Sequence, residues 1–356
     1  MIGSGGFKTI SRLNNTQALD KPAQGCQEIE SACSCSVSPE WKVVYEGDAG
    51  KQGRPRTSAD PRGATETRGW LRRDIVHVHA AGVTPTELLW YPTTHTKSGT
   101  ARMRAVPGHE FSGVIAAIGK DVQDFKVGDE VYGMNDWFAD GATAEFCITL
   151  PQNIARKPAT LSHEAAASVP IGALTSWQGL IDRAKLEPGE RILVHGGAGA
   201  VGLYAVQLAH ICGARLITTV STQDIDFVKR LGANEAIDYR ACRFGKEVQD
   251  VDVVFDAVGS DTLERSWGVL KPSGRMITIA ADSEGTADER VKDAFFIVEP
   301  NQEQLVEIVE IAKQLDAGHL RAFVKTTVPL NEASAAYSGA VRDKGGYGKI
   351  VITVPA

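Results

Sequence analysis

The sequence predicts an α/β protein in which a β-rich block is followed by a doubly wound parallel sheet. Three observations carry this prediction. Short apolar strands alternate with helical patterns from residue 162 to residue 280, and a glycine-rich turn at 196–202 joins one such strand directly to one such helix. Before residue 150 the apolar residues alternate instead in short runs between turn residues, which is typical of strands without intervening helices.

The composition is that of an ordinary globular protein. The chain has 356 residues, which is enough for two domains, and 43% of them are hydrophobic. Its net charge of −6 gives no reason to expect a nucleic acid or an anionic membrane as a partner. No apolar run approaches the roughly 20 residues that cross a bilayer. The six cysteines show neither a disulfide framework nor a zinc spacing, and the first residues lack an apolar signal core, so we expect a cytoplasmic protein.

The β-rich block is predicted over residues 41–160, after a flexible tail at 1–40 that is rich in Ser, Gly, Asn and Gln. Residues 51–73 are atypical, because they hold six arginines and show no strand alternation. A shifted reading frame and a divergent surface excursion are both compatible with this stretch. The strands that the patterns predict in the block cover 41–45, 74–80, 108–118, 127–133 and 144–150.

The parallel sheet is predicted over residues 161–299. Its strands are short and apolar, and its helices show an apolar face. The predicted strands cover 191–194, 215–220, 235–238, 251–257 and 274–280, and a last strand covers 349–354. The predicted helices cover 164–169, 173–184, 200–211, 224–231, 261–269 and 302–317, and a polar loop is predicted at 281–293.

The glycine-rich turn is the most specific motif of the chain. A strand runs into Gly197-Ala198-Gly199-Ala200-Val201-Gly202, and a helix follows at once. In this G-x-G-x-x-G pattern the first glycine permits a tight turn, the second lets the backbone approach a pyrophosphate, and the third lets the helix pack on the strand. The pyrophosphate then lies on the N–H groups of the helix N-terminus. We therefore predict a dinucleotide site formed by Gly197, Gly199, Ala200, Val201 and Gly202.

The end of the next strand bears on which dinucleotide is bound. Enzymes that use NAD usually carry an acidic residue there, about 20 residues after the glycines, for the ribose 2′-OH. This strand ends instead in Val220, Ser221 and Thr222. A carboxylate would repel a 2′-phosphate and hydroxyl groups do not, so we expect NADP(H), contacted by Ser221 and Thr222. Further candidates for contacts with the adenosine phosphate or the adenine are Lys229, Arg230, Tyr239 and Arg240, although a solvated helix face also explains Lys229 and Arg230.

Several other motifs accompany the glycine-rich turn. They are His79-Ala80-Ala81-Gly82-Val83, Pro107-Gly108-His109-Glu110-Phe111-Ser112-Gly113, Val127-Gly128-Asp129-Glu130-Val131, Leu231-Gly232-Ala233-Asn234, Asp256-Ala257-Val258-Gly259 and Gly348-Lys349-Ile350-Val351. Together they resemble the medium-chain dehydrogenase/reductase superfamily, and within it the zinc-free quinone oxidoreductase-like (zeta-crystallin-like) branch. The resemblance implies a GroES-like β-barrel catalytic domain at 41–160 that the chain rejoins at 300–356. It also implies a Rossmann NADP-binding domain at 161–299, a cofactor cleft between the two domains, and a homodimer.

The metal ligands of zinc-dependent members of this superfamily are not matched here. Those members bind a catalytic zinc with a Cys, a His and another Cys or Asp. The His corresponds to His109, but the first Cys position corresponds to Thr84, and the third falls near Gly172 and Ala173. The region of the structural zinc lobe, 135–143, contains no cysteine. We therefore expect no metal and interpret His109 as a hydrogen-bonded structural residue.

Without a metal, NADPH supplies the hydride, and the protein positions the acceptor and stabilises negative charge on its oxygen. The segment after the strand at 74–80 borders the cleft by resemblance, which makes Tyr91 and Glu87 the predicted catalytic residues, as proton donor and orienting group. Trp90, Trp137 and Phe138 are candidates for the wall of a flat apolar pocket, although ordinary packing explains them equally well. The further cofactor contacts that the resemblance implies are Thr175, Val258, Phe296, Val298 and Lys349.

We therefore expect a zinc-independent, NADPH-dependent oxidoreductase that transfers hydride to a quinone or an α,β-unsaturated carbonyl. Two alternatives stay open. An enoyl-thioester reductase would use the same cofactor on another acceptor, and a non-catalytic protein of the crystallin type would bind the nucleotide without turnover. The expected partner is a small-molecule carbonyl or quinone substrate, with no nucleic acid and no membrane.

Overall fold

The computed structural model describes residues 73–102, 105–299, 304–341 and 345–355. The expectations for 1–40, for 41–45 and for nearly all of 51–73 lie outside these ranges. The strands of the described ranges are β1 Asp74–Gly82, β2 Glu110–Ala117, β3 Glu130–Met134, β4 Phe146–Thr149, β5 Ile154–Arg156, β6 Arg191–His195, β7 Arg215–Val220, β8 Glu235–Asp238, β9 Val251–Asp256, β10 Leu270–Thr278, β11 Val324–Pro329 and β12 Lys349–Thr353.

The helices of the described ranges are α1 Tyr91–Thr94, α2 His163–Ala167, α3 Pro170–Trp177, α4 Gly202–Ile211, α5 Ile225–Arg230, α6 Ser260–Ser266, α7 Glu289–Ala294, α8 Gln304–Asp316 and α9 Ala333–Tyr337. A 3-10 helix, Pro85–Leu89, precedes α1. None of these described helices is long and apolar enough to cross a bilayer.

The first sheet contains seven strands and corresponds to the predicted β-rich block. Its order is β11-β12-β1-β2-β3-β5, and β4 pairs with β1 beside this path. The alternation of side chains along β1 places Val76 and Val78 in a core with Phe111, Ile115 and Val131. The sequence patterns do not predict β5 and β11, because β5 has only three residues and β11 buries only one side chain.

The second sheet contains five parallel strands in the order β10-β9-β6-β7-β8. This is the doubly wound order, which confirms the predicted α/β fold. β6 lies at the centre, and its side chains Ile192, Leu193 and Val194 are fully buried. The chain runs outward from β6 first to β7 and β8, and then on the other side to β9 and β10. The carboxyl ends of β6 and β9 therefore flank the point where the strand order reverses, which is where ligands bind in such sheets.

The two sheets share one hydrophobic core. Tyr132 and Met134 of β3 are fully buried in the same cluster as Leu174 of α3 and Ile308 and Ile311 of α8. The Tyr132 hydroxyl donates to the Ile308 carbonyl at 2.6 Å, and burial raises the pKa of this phenol well above its usual value. The predicted amphipathic helix at 302–317 is thus confirmed as α8. This helix packs against both β3 of the first sheet and α3, which covers the second sheet.

The polar loop predicted at 281–293 is wrong in its second half. There the chain forms α7, and Asp288 caps it by accepting the Arg290 N–H at 2.9 Å. A carboxylate at the N-cap satisfies one of the unpaired N–H groups of the first turn, so a short polar segment becomes helical.

The helix predicted at 173–184 begins earlier and changes its winding. It starts at Pro170. Proline is favourable at the first helical position, because the N–H that it lacks would have no acceptor within the helix. Past Trp177 it widens into a π-helix, Gln178–Arg183. The result is a long helical segment that lies behind the glycine-rich turn, with α3 contacting α4.

Candidate cofactor cleft and active site

The glycine loop, residues 196–202, leaves β6 in a left-handed turn. The residue with positive φ is Gly196, at +76°, so the predicted tight turn lies one residue before Gly197. Gly197 is required for another reason, because a Cβ there would overlap the Thr218 hydroxyl of β7. A Cβ on Gly202 would likewise overlap the Gly196 carbonyl, which confirms that the last glycine permits the close approach of helix and strand.

Four main-chain N–H groups of the glycine loop are unpaired. Among the described residues, the amides of Ala198, Ala200, Val201 and Gly202 have no hydrogen-bond acceptor. The loop is nevertheless held firmly, because the Gly199 N–H donates to the Gly196 carbonyl at 2.9 Å. These amides stand at the N-terminus of α4, where the helix dipole also favours an anion. The loop therefore presents preformed N–H groups in an arrangement that is chemically suited to an anion.

The other side of the reversal point is built by Asp256, the last residue of β9. Its buried carboxylate accepts the N–H groups of Val258, at 3.1 Å, and Gly259, at 3.0 Å, and so caps the local backbone. Burial raises the pKa of Asp256. Val258 itself is half exposed, and a Cβ on Gly196 would lie 3.3 Å from its methyl group. The predicted contact residue Val258 thus faces the glycine loop across the crevice.

The structure brings two carboxylates to the hydroxyl groups at the end of β7. The Ser221 hydroxyl donates to Asp224 at 2.5 Å, and the Thr222 hydroxyl donates to Asp238. The hydrogen bond from Thr222 is also the main cause of the lowered pKa of Asp238. Asp238 ends the neighbouring strand β8, so its position beside Thr222 is a consequence of strand pairing that the sequence reasoning missed. The half-exposed Tyr239 follows it at the same edge.

Charged side chains are buried where the first sheet meets the crevice. We call Glu87, His109, Glu110 and Lys349 the buried charge cluster, since each of the four is at most 5% exposed. The Glu87 carboxylate accepts the Gly108 N–H at 2.7 Å and contacts His109 Nδ1. Glu110 accepts the Ile171 N–H at 2.9 Å and forms an ion pair with Lys349.

The residues around His109 do not fit a catalytic zinc ion. Its Nδ1 contacts Glu87, and its Nε2 lies 3.0 Å from the Trp137 carbonyl, so both ring nitrogens have protein partners. Thr84, at the position of the first Cys ligand, lies 3.3 Å from the Lys349 ammonium. In the described ranges, His, Cys, Asp and Glu form no group of three that could hold a metal ion. His109 is a hydrogen-bonded residue, as expected.

An aromatic wall, formed by Trp90, Tyr91, Trp137 and Phe138, lies beside the buried charge cluster. The rings of Trp90 and Trp137 meet edge to face with centroids 5.3 Å apart. Tyr91 is half exposed, stacks on His95 at 4.6 Å and meets Phe138 at 6.5 Å. The structure therefore brings the predicted proton donor and the predicted pocket wall together, while Glu87 is buried behind them.

Four predicted cofactor contacts lie in or near packed core. The Thr175 hydroxyl donates to the Ile171 carbonyl at 2.6 Å, and Phe296 and Val298 are each 4% exposed. Val298 still borders the aromatic wall, because its carbonyl accepts the Trp137 indole N–H at 2.8 Å. Lys349 is held by Glu110 rather than projecting freely. Direct cofactor contacts from these four side chains stay predictions.

Comparison with known proteins identifies the class of this fold. Residues 73–167 match the alcohol dehydrogenase GroES-like domain, and residues 231–352 match the zinc-binding dehydrogenase family. A probable mitochondrial zinc-binding oxidoreductase of Arthroderma benhamiae is 32% identical over 300 residues, which cover 79% of this chain and 88% of that protein. The chain belongs to the medium-chain dehydrogenase/reductase superfamily, as its motifs predicted.

Two solved structures are similar over most of the chain. The quinone oxidoreductase from Coxiella burnetii has a TM-score of 0.71 at 28% identity and covers 80% of this chain and 91% of its own. The CurK enoyl reductase has a TM-score of 0.68 at 28% identity with the same coverage, 80% and 91%. Both resemble this chain in the GroES-like and the Rossmann parts together.

Proposed function

We propose that the protein is an NADPH-dependent, zinc-independent oxidoreductase that transfers hydride to a quinone or an α,β-unsaturated carbonyl. The observation that carries this proposal is the set of four unpaired amides in the glycine loop, at the point where the strand order reverses. Main-chain N–H groups in this arrangement suit a pyrophosphate, and a bound nicotinamide dinucleotide supplies the hydride. The similarity to a quinone oxidoreductase supports the acceptor class.

The residues of the crevice support a flat, largely apolar acceptor. The aromatic wall lines one side, and Leu89, which is 82% exposed, extends it toward solvent. When hydride reaches carbon in a conjugated carbonyl, negative charge moves to oxygen and needs a nearby donor. We assign that donor role to Tyr91, whose hydroxyl lies on an exposed ring. Glu87 acts through His109, because its carboxylate is buried and bonded to that ring.

The choice of NADPH over NADH rests on the hydroxyl groups of Ser221 and Thr222 and on the exposed Tyr239 and Arg240 that follow β8. Two carboxylates oppose it, since Asp224 accepts the Ser221 hydroxyl and Asp238 accepts the Thr222 hydroxyl. At Asp238 two donors offset the charge, the Thr222 hydroxyl and the Arg240 N–H at 2.8 Å. Removing the charge with Asp238→Asn should lower the KM for NADPH roughly threefold to tenfold and leave the KM for NADH unchanged. A parallel change in both KM values would contradict a 2′-phosphate at this edge.

Zinc independence is proposed because the ring nitrogens of His109 are both engaged by protein atoms. Turnover should therefore survive dialysis against a strong chelator, and elemental analysis of the active protein should find no stoichiometric zinc. Loss of activity on chelation, restored by zinc, would overturn this part of the proposal.

An acceptor panel tests the function as a whole. NADPH oxidation is followed with quinones, enones and enoyl thioesters, with purified full-length protein. Turnover of quinones or enones with higher kcat/KM than thioesters is expected. Preference for the thioester would favour the enoyl-thioester reductase, a candidate that the similarity to the CurK enoyl reductase also supports. Tight NADPH binding without turnover of any acceptor would instead indicate a crystallin-type binding protein.

The homodimer and the cytoplasmic location stay predictions. Light scattering of the purified protein, and imaging of a tagged full-length chain in its own cells, would test them separately.

A further inference from the structure

A cavity of about 310 Å³ lies apart from the proposed cofactor cleft. Its lining comes from three segments, the end of α4, the end of α5 and the chain that follows α8. In a parallel sheet each covering helix runs from the carboxyl edge of one strand back to the amino edge of the next. The ends of α4 and α5 therefore lie at the amino edge, opposite to the edge that carries the glycine loop.

The ionisable side chains that line this cavity are all basic. Its polar lining consists of His210, Lys229, Arg230, His319 and Arg321, together with the amide of Gln207. No carboxylate belongs to the described lining, although the whole chain has 44 acidic residues against 38 basic ones. Among the described residues no carboxylate lies within ion-pair distance of Lys229, Arg230 or Arg321. We call this space the basic cavity.

Cations at helix C-termini often serve only to offset the carbonyl groups of the last turn. In the basic cavity those carbonyls already have partners in the main chain. The N–H of Gly213 donates to the His210 carbonyl at 2.9 Å, and the N–H of Ala233 donates to the Val228 carbonyl at 3.0 Å. The N–H of Gly232 donates to the Lys229 carbonyl at 3.1 Å. The basic side chains are thus not needed as caps.

The floor of the basic cavity is fixed by Gln207, which is 4% exposed. Its amide nitrogen donates to the Leu203 carbonyl at 3.0 Å and to the Arg321 carbonyl at 3.3 Å. Its amide oxygen accepts the Arg321 N–H at 2.8 Å. The backbone of Arg321 is therefore held against α4, and its exposed side chain lines the same cavity as that of Arg230.

We propose that the basic cavity binds a small polyphosphate anion. Converging guanidinium and ammonium groups recognise phosphate oxygens by charge-assisted hydrogen bonds, and the two arginines offer the planar donors that suit them. The volume of about 310 Å³ admits a pyrophosphate or a small phosphorylated molecule. Because the cavity lies at the amino edge of the sheet, its ligand does not compete with the dinucleotide.

Calorimetric titration of the full chain with inorganic pyrophosphate tests the proposal. The Gly199→Asp background is used, so that the glycine loop does not contribute. Removing two charge-assisted partners with Arg230→Gln and Arg321→Gln together should weaken binding by about tenfold or more. The matched variant Lys120→Gln with Lys126→Gln, which removes two exposed lysines of the other domain, should bind as the parent does.

Three outcomes would overturn the proposal. Pyrophosphate binding that is present in the parent chain but lost in the Gly199→Asp background would place the ligand in the glycine loop. Equal binding by the arginine variant and the lysine variant would show attraction to surface charge alone. Equal competition by poly-glutamate at matched charge would show a surface for acidic peptides rather than for phosphate.

Thermal unfolding separates the proposal from a purely structural role of the cations. Pyrophosphate should raise the melting temperature of the parent, and the arginine variant without ligand should melt no lower than the parent, because like charges are removed. A lower melting temperature of that variant, with no response of the parent to pyrophosphate, would assign the cations to helix stability instead.

Discussion

The glycine loop and the buried charge cluster are the two regions from which we expect function, and they consist of different chemical groups. The loop offers main-chain N–H groups from one segment, residues 196–202, with no charged side chain of its own. The cluster offers four charged or ionisable side chains from three segments that are far apart in the chain. A change in the loop should therefore affect binding more than stability, and a change in the cluster should do the reverse.

The largest effect on cofactor binding is expected from a charge placed in the loop. Gly199→Asp should weaken NADPH binding by roughly 100-fold or more, because its carboxylate would repel the pyrophosphate. Folding should survive, since Gly199 has no positive φ and the nearest atom to its added Cβ would be the Gly196 carbonyl oxygen at 3.2 Å. Cofactor titration and urea unfolding measure the two quantities. Gly268→Asp, at a site with open space around the Cβ, is the control that should bind normally.

In the cluster, Lys349→Met should reduce the free energy of unfolding by about 3–5 kcal/mol, because it leaves the Glu110 carboxylate buried without its partner. Urea denaturation measures the loss, and adding Glu110→Gln should restore much of it. If Lys349→Met costs no more than Lys120→Met on the surface, the ion pair does not hold the cluster together.

His195 sharpens the comparison, because it is a buried ionisable group directly before the loop. Its ring nitrogens lie 2.9 Å from the hydroxyls of Thr219 and Ser266, and burial lowers its pKa from 6.5 to about 3. The pKa of His195 is thus lower in the folded state than in the unfolded state. The contribution of His195 to the free energy of unfolding is therefore complete above about pH 6.5 and is lost as the pH falls toward 3. The loss should be of the order of a few kcal/mol in total.

Urea unfolding across that pH window tests this expectation. His195→Asn has no titrating group, so its stability should fall less steeply with acid than that of the parent chain. His319→Asn, which removes an exposed imidazole, should keep the parent slope. Identical slopes for the two variants would show that acid acts elsewhere.

The smallest effect is expected in the aromatic wall, where Trp137 packs beside His109 of the buried charge cluster. Trp137→Phe keeps an aromatic ring in the wall but leaves the Val298 carbonyl without its indole donor. The free energy of unfolding should fall by about 1–2 kcal/mol. Trp177→Phe is the control, because no hydrogen bond of that indole is found in the described chain. A loss of the same size in both variants would attribute the effect to ring volume.

The predictions from sequence succeeded where the signal is local. The alternation of strands and helices between 191 and 280 predicted the parallel sheet, and the spacing of glycines predicted a loop whose amides are unpaired. They failed for α7, where one capping aspartate outweighed a polar composition, and for β11, which is a strand only because β12 pairs with it.

Asp238 is the clearest example of a residue that the sequence pattern alone does not place at the predicted binding edge. Its carboxylate is 16 positions from Thr222 in the chain but is bonded to it, because β7 and β8 are neighbours in register. The end of β7 and the residues directly after it therefore contain only one of the two carboxylates at that edge, Asp224.

The sequence by itself determined the superfamily, the doubly wound sheet, the position of the glycine-rich turn and the mismatch of the zinc ligands, because each depends on residues close together or on motifs of fixed spacing. The tertiary structure decided that Lys349 pairs with Glu110, that Glu87 bonds to His109, and that five basic residues converge at the far edge of the sheet. Those contacts join distant segments, and their energies depend on burial and distance, which a linear pattern does not contain.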